Sequence, residues 1–218
     1  MWNIYALIGA GGHGKVILDM LIRNKEDVLG FVDDFSVQPS LKGFPLLGTL
    51  KDIPELMSRN PALKFIISVG DNFTRKEISI QLEPLSVKYG TAVHPTAHIG
   101  SGAAIGEGTV VMPYAVINTD AVVGSHCIVN THCVIEHDCR IDSFVHAAPQ
   151  TVLTGNIGVQ EGVLIGAGAS IIPGVTIGKW SIIGAGSTVI KDIPPYSNAL
   201  GSPAKISTRK GGFDIDGV

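Results

Sequence analysis

Residues 126–139 read HCIVNTHCVIEHDC, with three cysteines, three histidines and two acids in fourteen positions. Three readings are open for such a cluster: a metal site, a disulfide group, or a catalytic base set inside a structural repeat. The six-residue interval between Cys127, Cys133 and Cys139 decides among them, because the interval continues in both directions. Stepping by six from Val93 to Val189 meets seventeen positions, sixteen of which hold Val, Ile or Leu. The residue two before each is nearly always small, and neither slot ever holds a charge.

Two inward positions per hexad, one branched and one small, describe short strands lining a narrow core. Three such strands make an 18-residue coil of triangular section, and coils stack at about 4.8 Å. About five coils fit between residues 91 and 190, which makes this segment a parallel β-helix of hexapeptide repeats. All three cysteines fall in the small inward slot, on three successive faces of one coil. A buried thiol there behaves as a small hydrophobe. A metal site needs ligands that converge, and no histidine shares the inward slots, so neither a zinc site nor a disulfide is expected.

By the same count His94, His98, His126, His132, His137 and His146 point outward, and each taken alone reads as a solvated surface histidine. His137 is distinguished by its neighbours, Glu136 and Asp138. A carboxylate beside an imidazole holds one tautomer and raises the ring's basicity, as a general base near neutral pH requires. One coil later stands Gly155, which is expected to leave space for a substrate. His146 is half a coil away and faces elsewhere on the prism. If both histidines serve one site, it lies between two subunits, and prisms packed as a trimer would bring them together.

Residues 1–80 alternate differently: NIYALIG as a strand, KVILDMLIRN as a helix, LGFVDDF as a second strand, KDIPELMSRN as a short helix, KFIISVG as a third strand and DNFTRKEISIQL as a last helix. Strand–helix alternation implies a small parallel sheet, half of a doubly wound, Rossmann-like fold. The expected division is an α/β domain over residues 1–85 and a β-helix domain with a C-terminal cap over 86–218. Gly9, Gly11 and Gly14 match the GxGxxG fingerprint, and Asp33 lies about 20 residues on. Three strands suit one nucleotide better than two; the plain alternative is a tight turn between strand and helix. His13 could touch a phosphate or be solvated. Asp33 and Asp34 could bind a ribose or a uracil edge, and Gly70-Asp71-Asn72 ends the third strand on the same rim.

The 218-residue chain carries 16% charged residues, against about 25% in ordinary domains, and a net charge of −3. That charge offers no footprint for nucleic acid. No apolar run reaches the ~18 residues of a membrane helix. The N-terminus shows no basic region of a signal peptide, so three cysteines are expected as reduced thiols in the cytoplasm.

The motifs GAGGHGK (9–15), FVDDF (31–35), SVGDNFTRK (68–76), IEHDC (135–139), the hexads, and the tail VIKDIPPYSNALGSPAK (189–205) together resemble a bacterial family. This family is the sugar O-acyltransferases that include sialic acid O-acetyltransferases, and the best-matching branch is the UDP-4-amino-sugar N-acetyltransferases of bacillosamine-type pathways. The resemblance implies a left-handed helix and a homotrimer with acetyl-CoA between neighbouring prisms. It implies His137 as general base and Asp138 as its orienting carboxylate, where the family often has Glu. His146 matches a histidine near the thioester, and Gly155, Ala167 and Ala185 match the cofactor groove. Gly11, Gly12, His13, Asp33 and Asp34 match the nucleotide-sugar site, and Gly201-Ser202-Pro203-Ala204 a cap over the adenine end. Three other readings stay open: O-acetylation of a sugar hydroxyl, a nicotinamide oxidoreductase with a β-helix appendage, and a non-catalytic scaffold.

Overall fold

The computed structural model describes residues 3–208; residues 1–2 and 209–218 of the two expected domains lie outside the described residues. The first domain is built on β1 (Ile4–Ile8), α1 (Gly12–Arg23), β2 (Asp27–Val32), β3 (Ser40–Leu41), β4 (Phe44–Gly48), α2 (Ile53–Arg59), β5 (Leu63–Ile67) and α3 (Asn72–Leu82). Its sheet runs β3-β4-β2-β1-β5, with β1, β2, β4 and β5 parallel and β3 antiparallel at the edge. Three strands are expected and five are found. The extra pair escapes the sequence pattern because Pro45 sits inside β4, and proline demotes a run to an edge strand.

Seventeen two-residue strands follow among the described residues, from Ala92–Val93 to Thr188–Val189, each paired in parallel with the strand 18 residues away. They form three faces. The first starts at Ala92–Val93 and includes His146–Ala147; the second starts at His98–Ile99; the third starts at Ala104–Ile105. Strands Ser197–Leu200 and Lys205–Thr208 extend the first face as an antiparallel pair. The inward slots are filled as the hexads predict, and Cys127, Cys133 and Cys139 are buried to 1% exposure or less. Their burial pushes the Cys127 and Cys133 thiols up to about 12.

Each corner carries a second period of six. Fifteen successive positions, from 102 to 186, have φ between 55° and 76°. This left-handed conformation turns the chain from one face to the next, and Asn, Asp and His reach it more readily than other side-chain-bearing residues. His126, His132 and Asp138 occupy three consecutive corners. Two of the outward histidines therefore have a backbone reason to be present, which the expectation of freely varying surface positions did not include.

Nor is the whole prism surface solvated. The outward residues Ala92, Val110 and Ile128 of the first face pack with Leu7, Ile17 and Met20 in one apolar cluster that joins the two domains. On the corner between the third and first faces, the His126 ring stacks on Phe144 (centroids 5.2 Å apart) and meets Tyr89 edge-on at 4.4 Å. Phe73 and Lys76 of α3 meet Trp180 on the same corner. His126, expected on the surface, is thus 6% exposed.

Arg75 fastens the junction. Its guanidinium is 1% exposed, and its Nε donates to His126 O at 2.8 Å. Nη1 donates to Val69 O and Gly70 O, and Nη2 to Asn72 Oδ1 and Phe144 O. Burial without a carboxylate in contact lowers its pKa to about 10. With Asp71 O as a further acceptor of Nη1, the five donors meet six acceptors and the fork is satisfied, whereas an ammonium has only three donors. Arg75→Ala should cost about 3 kcal/mol by stranding buried carbonyls, and Arg75→Lys should recover only part of it. Calorimetric melting of the three proteins reads the order.

Candidate active site

Two groups of polar side chains stand at different edges of the prism. The first lies on the corner between the second and third faces. There His137 Nδ1 is 2.8 Å from Asp138 Oδ2, with both side chains about 60% exposed. The left-handed φ of 61° at Asp138 turns its carboxylate back onto the preceding ring. The hydrogen bond to Asp138, with the charge of Glu136 adding to it, raises the His137 pKa above its ordinary 6.5. Glu136 is held from the coil below by Asn118 Nδ2 at 2.9 Å. The arrangement leaves Nε2 as the proton acceptor, since the partner on Nδ1 fixes the tautomer.

Gly155 lies in the next coil, as counted, but with a different consequence from the one expected. A Cβ there would stand 2.6 Å from Cε1 and Nε2 of His137. The missing side chain makes room for the imidazole itself rather than for a substrate.

The second group lies on the first face, at the seam with the α/β domain. Residues 92, 110, 128, 146, 164 and 182 stack in one column through the strand pairing. The occupants are Ala, Val, Ile, His, Leu and Ile. His146 is the single polar one of these six, and Asn198 follows Ile182 at the end of the column. Its Nε2 is 3.0 Å from Asn130 Nδ2, and it shares a backbone hydrogen bond with Gly70. Burial, then the charges of Arg75 and His13, lower its pKa to about 4. His13 is lowered to about 4 in the same way, by burial and then Arg75, and its Nε2 has no hydrogen-bond partner among the described residues. Burial and the charge of Arg75 thus hold the His13 ring well below the ordinary histidine range, on the seam beside His146.

The remaining expected residues divide between support and open surface. Gly11 and Gly12 have nothing within 4 Å of a built Cβ, and Gly11 caps α1 without a side-chain hydrogen bond, which leaves the first N–H groups of that helix without a capping side chain. Asp33 accepts from Ala10 N, Phe35 N and Ser36 N, and Asp34 from Leu50 N. Both carboxylates brace the strand-end loops. Asp71 caps α3 by accepting from Thr74 N at 2.7 Å, and Gly70 contributes its carbonyl to Arg75. Ala167 and Ala185 are exposed, one coil apart on the corner between the first and second faces. The structure thus brings together His137 with Asp138 and Gly155, and separately His13 with Gly70 and His146. Within one chain it does not bring His137 to His146, Ala167 or Ala185. Arg75 and Asn130 were not singled out in the sequence. For Asn130 no periodic signal existed; for His146 the apolar column was the available one. Among the described residues, no group of three or more His, Cys, Asp or Glu could hold a metal, and no helix is long and apolar enough to cross a membrane.

Comparison with known proteins agrees with this architecture. Residues 5–82 match the family described as the PglD N-terminal domain, and residues 102–137 and 156–191 match the bacterial transferase hexapeptide repeats. A variant of perosamine N-acetyltransferase from Caulobacter crescentus, solved with CoA and GDP-perosamine, superposes with a TM-score of 0.90 at 34% identity, covering 95% of this chain and 98% of that one. The chain belongs to the bacterial sugar acyltransferase family. The acetyltransferase domain of PglB from Neisseria gonorrhoeae, in complex with acetyl coenzyme A, is 35% identical over 95% of this chain and all of that one, with a TM-score of 0.89. WeeI from Acinetobacter baumannii is 28% identical with a TM-score of 0.83, covering 94% of this chain and 100% of that chain. The chain spans about a quarter of the length of the curated relatives it matches: a putative acetyltransferase of Schizosaccharomyces pombe is 59% identical over 49 residues, 22% of this chain and 24% of its own length. The solenoid is the left-handed parallel β-helix of this acyltransferase family.

The histidines shielded at the seam make stability depend on pH. His13, His126 and His146 are each held to about 4, against 6.5 when unfolded. Between those values the unfolded chain binds protons that the folded chain refuses, so stability is lost as pH falls through this window. The melting temperature should drop between pH 6.5 and 4, and His126→Phe, which can keep the ring stack, should show a shallower drop.

Proposed function

We propose that this acyltransferase carries the acetyl group of acetyl-CoA to the 4-amino group of a UDP-linked amino-deoxy sugar. The amine nitrogen attacks the thioester carbonyl carbon, His137 Nε2 takes the proton the nitrogen sheds, and the carbon–sulfur bond breaks to release CoA as its thiolate. Asp138 holds the imidazole in the tautomer that leaves Nε2 free. Neutral His146, paired with Asn130, is placed to hydrogen-bond the thioester end of the cofactor. Ala167 and Ala185 edge the groove for the rest of it. The nucleotide lies on the α/β domain, with its phosphates over the open N-terminus at Gly11 and Gly12, the sugar running toward His13 and Gly70, and loops held by Asp33, Asp34 and Asp71.

The observation that carries this reading is the exposed His137–Asp138 pair at 2.8 Å. The raised pKa of its ring suits a base working near neutral pH. Because His137 and His146 stand at different edges of one prism, the reading also requires a neighbouring subunit; we place the site between subunits of a homotrimer in the cytoplasm. A bound nucleotide amino sugar in the Caulobacter relative supports the substrate class. The acetyl coenzyme A bound in the Neisseria domain supports the donor.

The test is a panel of UDP-, GDP- and dTDP-linked 4-amino sugars and free sialic acid with acetyl-CoA, read by thiol release. Transfer to the UDP-linked amine is expected; transfer to a hydroxyl alone would overturn it. His137→Ala should lower kcat/KM by about 10²–10⁴-fold, the usual worth of a general base. Asp138→Asn should move the acidic limb of the pH–rate profile downward, because the ring loses the carboxylate that raises it. An unmoved limb would remove Asp138 from the mechanism.

A further inference from the structure

The transfer as proposed gives no part to Glu136, the half-buried carboxylate next to the base. This side chain leans toward the coil before its own, where Asn118 Nδ2 donates to Oε2 at 2.9 Å. The Asn118 amide cannot turn over. Its Oδ1 accepts from Thr119 N at 2.9 Å, and a backbone N–H only donates, so Nδ2 is the atom that faces Glu136. One carboxylate oxygen is thereby pinned. The other, Oε1, has no hydrogen bond, and no ion pair neutralises the group among the described residues. His137, by contrast, lies under Gly155 of the coil after, and Ala167 and Ala185 of the proposed cofactor groove stand in later coils still. Glu136 therefore stands on the side of His137 away from that groove, the side left to an acceptor.

We propose that Glu136 is a specificity residue whose free oxygen accepts a hydrogen bond from the acceptor nitrogen and so selects an amine over a hydroxyl. This rests on the reading of an N-acetyltransferase and adds how the site tells nitrogen from oxygen. A count of protons decides. A primary amine poised for attack aims its lone pair at the thioester carbon and keeps two N–H groups. One points to His137 Nε2, which takes that proton as the carbon–nitrogen bond forms; the other points to Glu136. A hydroxyl has a single O–H, which His137 requires, and its remaining lone pair would face a carboxylate oxygen. A site built to accept an N–H rejects the analogue that lacks it, because its own polar group is left unpaired. Repulsion of the wrong acceptor adds to attraction of the right one. The carboxylate equally accepts from the ammonium form of the amine, which gives one proton to water before it attacks.

Steady-state kinetics of the full chain with acetyl-CoA and a UDP-linked 4-amino sugar, and with the 4-hydroxy counterpart as competitive inhibitor, read the selection. In Glu136→Gln the fixed Asn118 donor turns the new amide oxygen toward itself, so the amide N–H groups face the acceptor. Amine kcat/KM should fall about ten- to hundredfold, the scale of a hydrogen bond to a charged group, while the hydroxy sugar should bind no worse. KM for acetyl-CoA and the melting temperature should not move. Adding Asn118→Ala to Glu136→Gln frees the amide to turn over and should recover part of the lost rate. The charge of Glu136 also helps to raise the His137 pKa, so the loss is read again on the alkaline plateau of the pH–rate profile, where it should persist. The selector is overturned if amine transfer by Glu136→Gln matches the parent, if both sugars weaken by the same factor, or if the loss vanishes on that plateau. Transfer to the amine by the parent protein separates the two claims. Such transfer with an indifferent Glu136 removes the selector alone; transfer to neither sugar, or to the hydroxyl alone, removes both.

Discussion

The left-handed corner that recurs every six residues is the constraint on which the rest of this molecule depends. Because each corner closes with φ near 60°, every coil takes 18 residues, and residues 18 apart stand directly over one another. That stacking puts Gly155 over the His137 ring and builds the apolar column that His146 interrupts. It also chooses side chains. A corner can take Gly without strain, and Asn, Asp or His at modest cost. Asp138 meets this backbone requirement and, by the same turn, reaches its neighbour's imidazole.

Electrostatics then divide the histidines into two classes. At the seam, burial and the charge of Arg75 hold His13, His126 and His146 neutral, far below the ordinary histidine range. On the opposite corner, the hydrogen bond to Asp138 and the charges of Asp138 and Glu136 push His137 the other way. Environments that drive like groups apart in pKa separate a proton acceptor from neutral hydrogen-bonding groups on one scaffold. Arg75 links the two halves of this design. The guanidinium that bonds the α/β domain to the prism is also the cation that disfavours charge on the rings around it.

Much of the β-helix could be read directly from the chain. The hexads located all three cysteines in the core, and the acids flanking His137 marked it out from five other outward histidines. In the first domain the parallel strands β1, β2 and β5 followed from alternation, while β4 did not, because Pro45 masks its pattern. The role of Gly155 was half legible: its place over residue 137 follows from counting, but whether ring or substrate fills the space depends on a side-chain rotamer. Asp33 and Asp34 looked like ligand groups at a strand end. Their bonds to Ala10, Phe35, Ser36 and Leu50 N–H groups depend on loop paths that no periodicity encodes.

What the amino-acid order alone determined is the solenoid: its period, its inward slots, its inert thiols and the outward direction of His137. Each of these follows from a local rule repeated along the chain. Only the tertiary structure decided which outward residues are covered, because docking α1 and α3 on one face and one corner buries His126 and half-buries His146 through contacts such as Arg75 with residue 144 and Asn72 with residue 163. Those partners lie 69 and 91 positions apart. The strength of their contact comes from satisfying buried donors in three dimensions, a property that no stretch of sequence carries by itself.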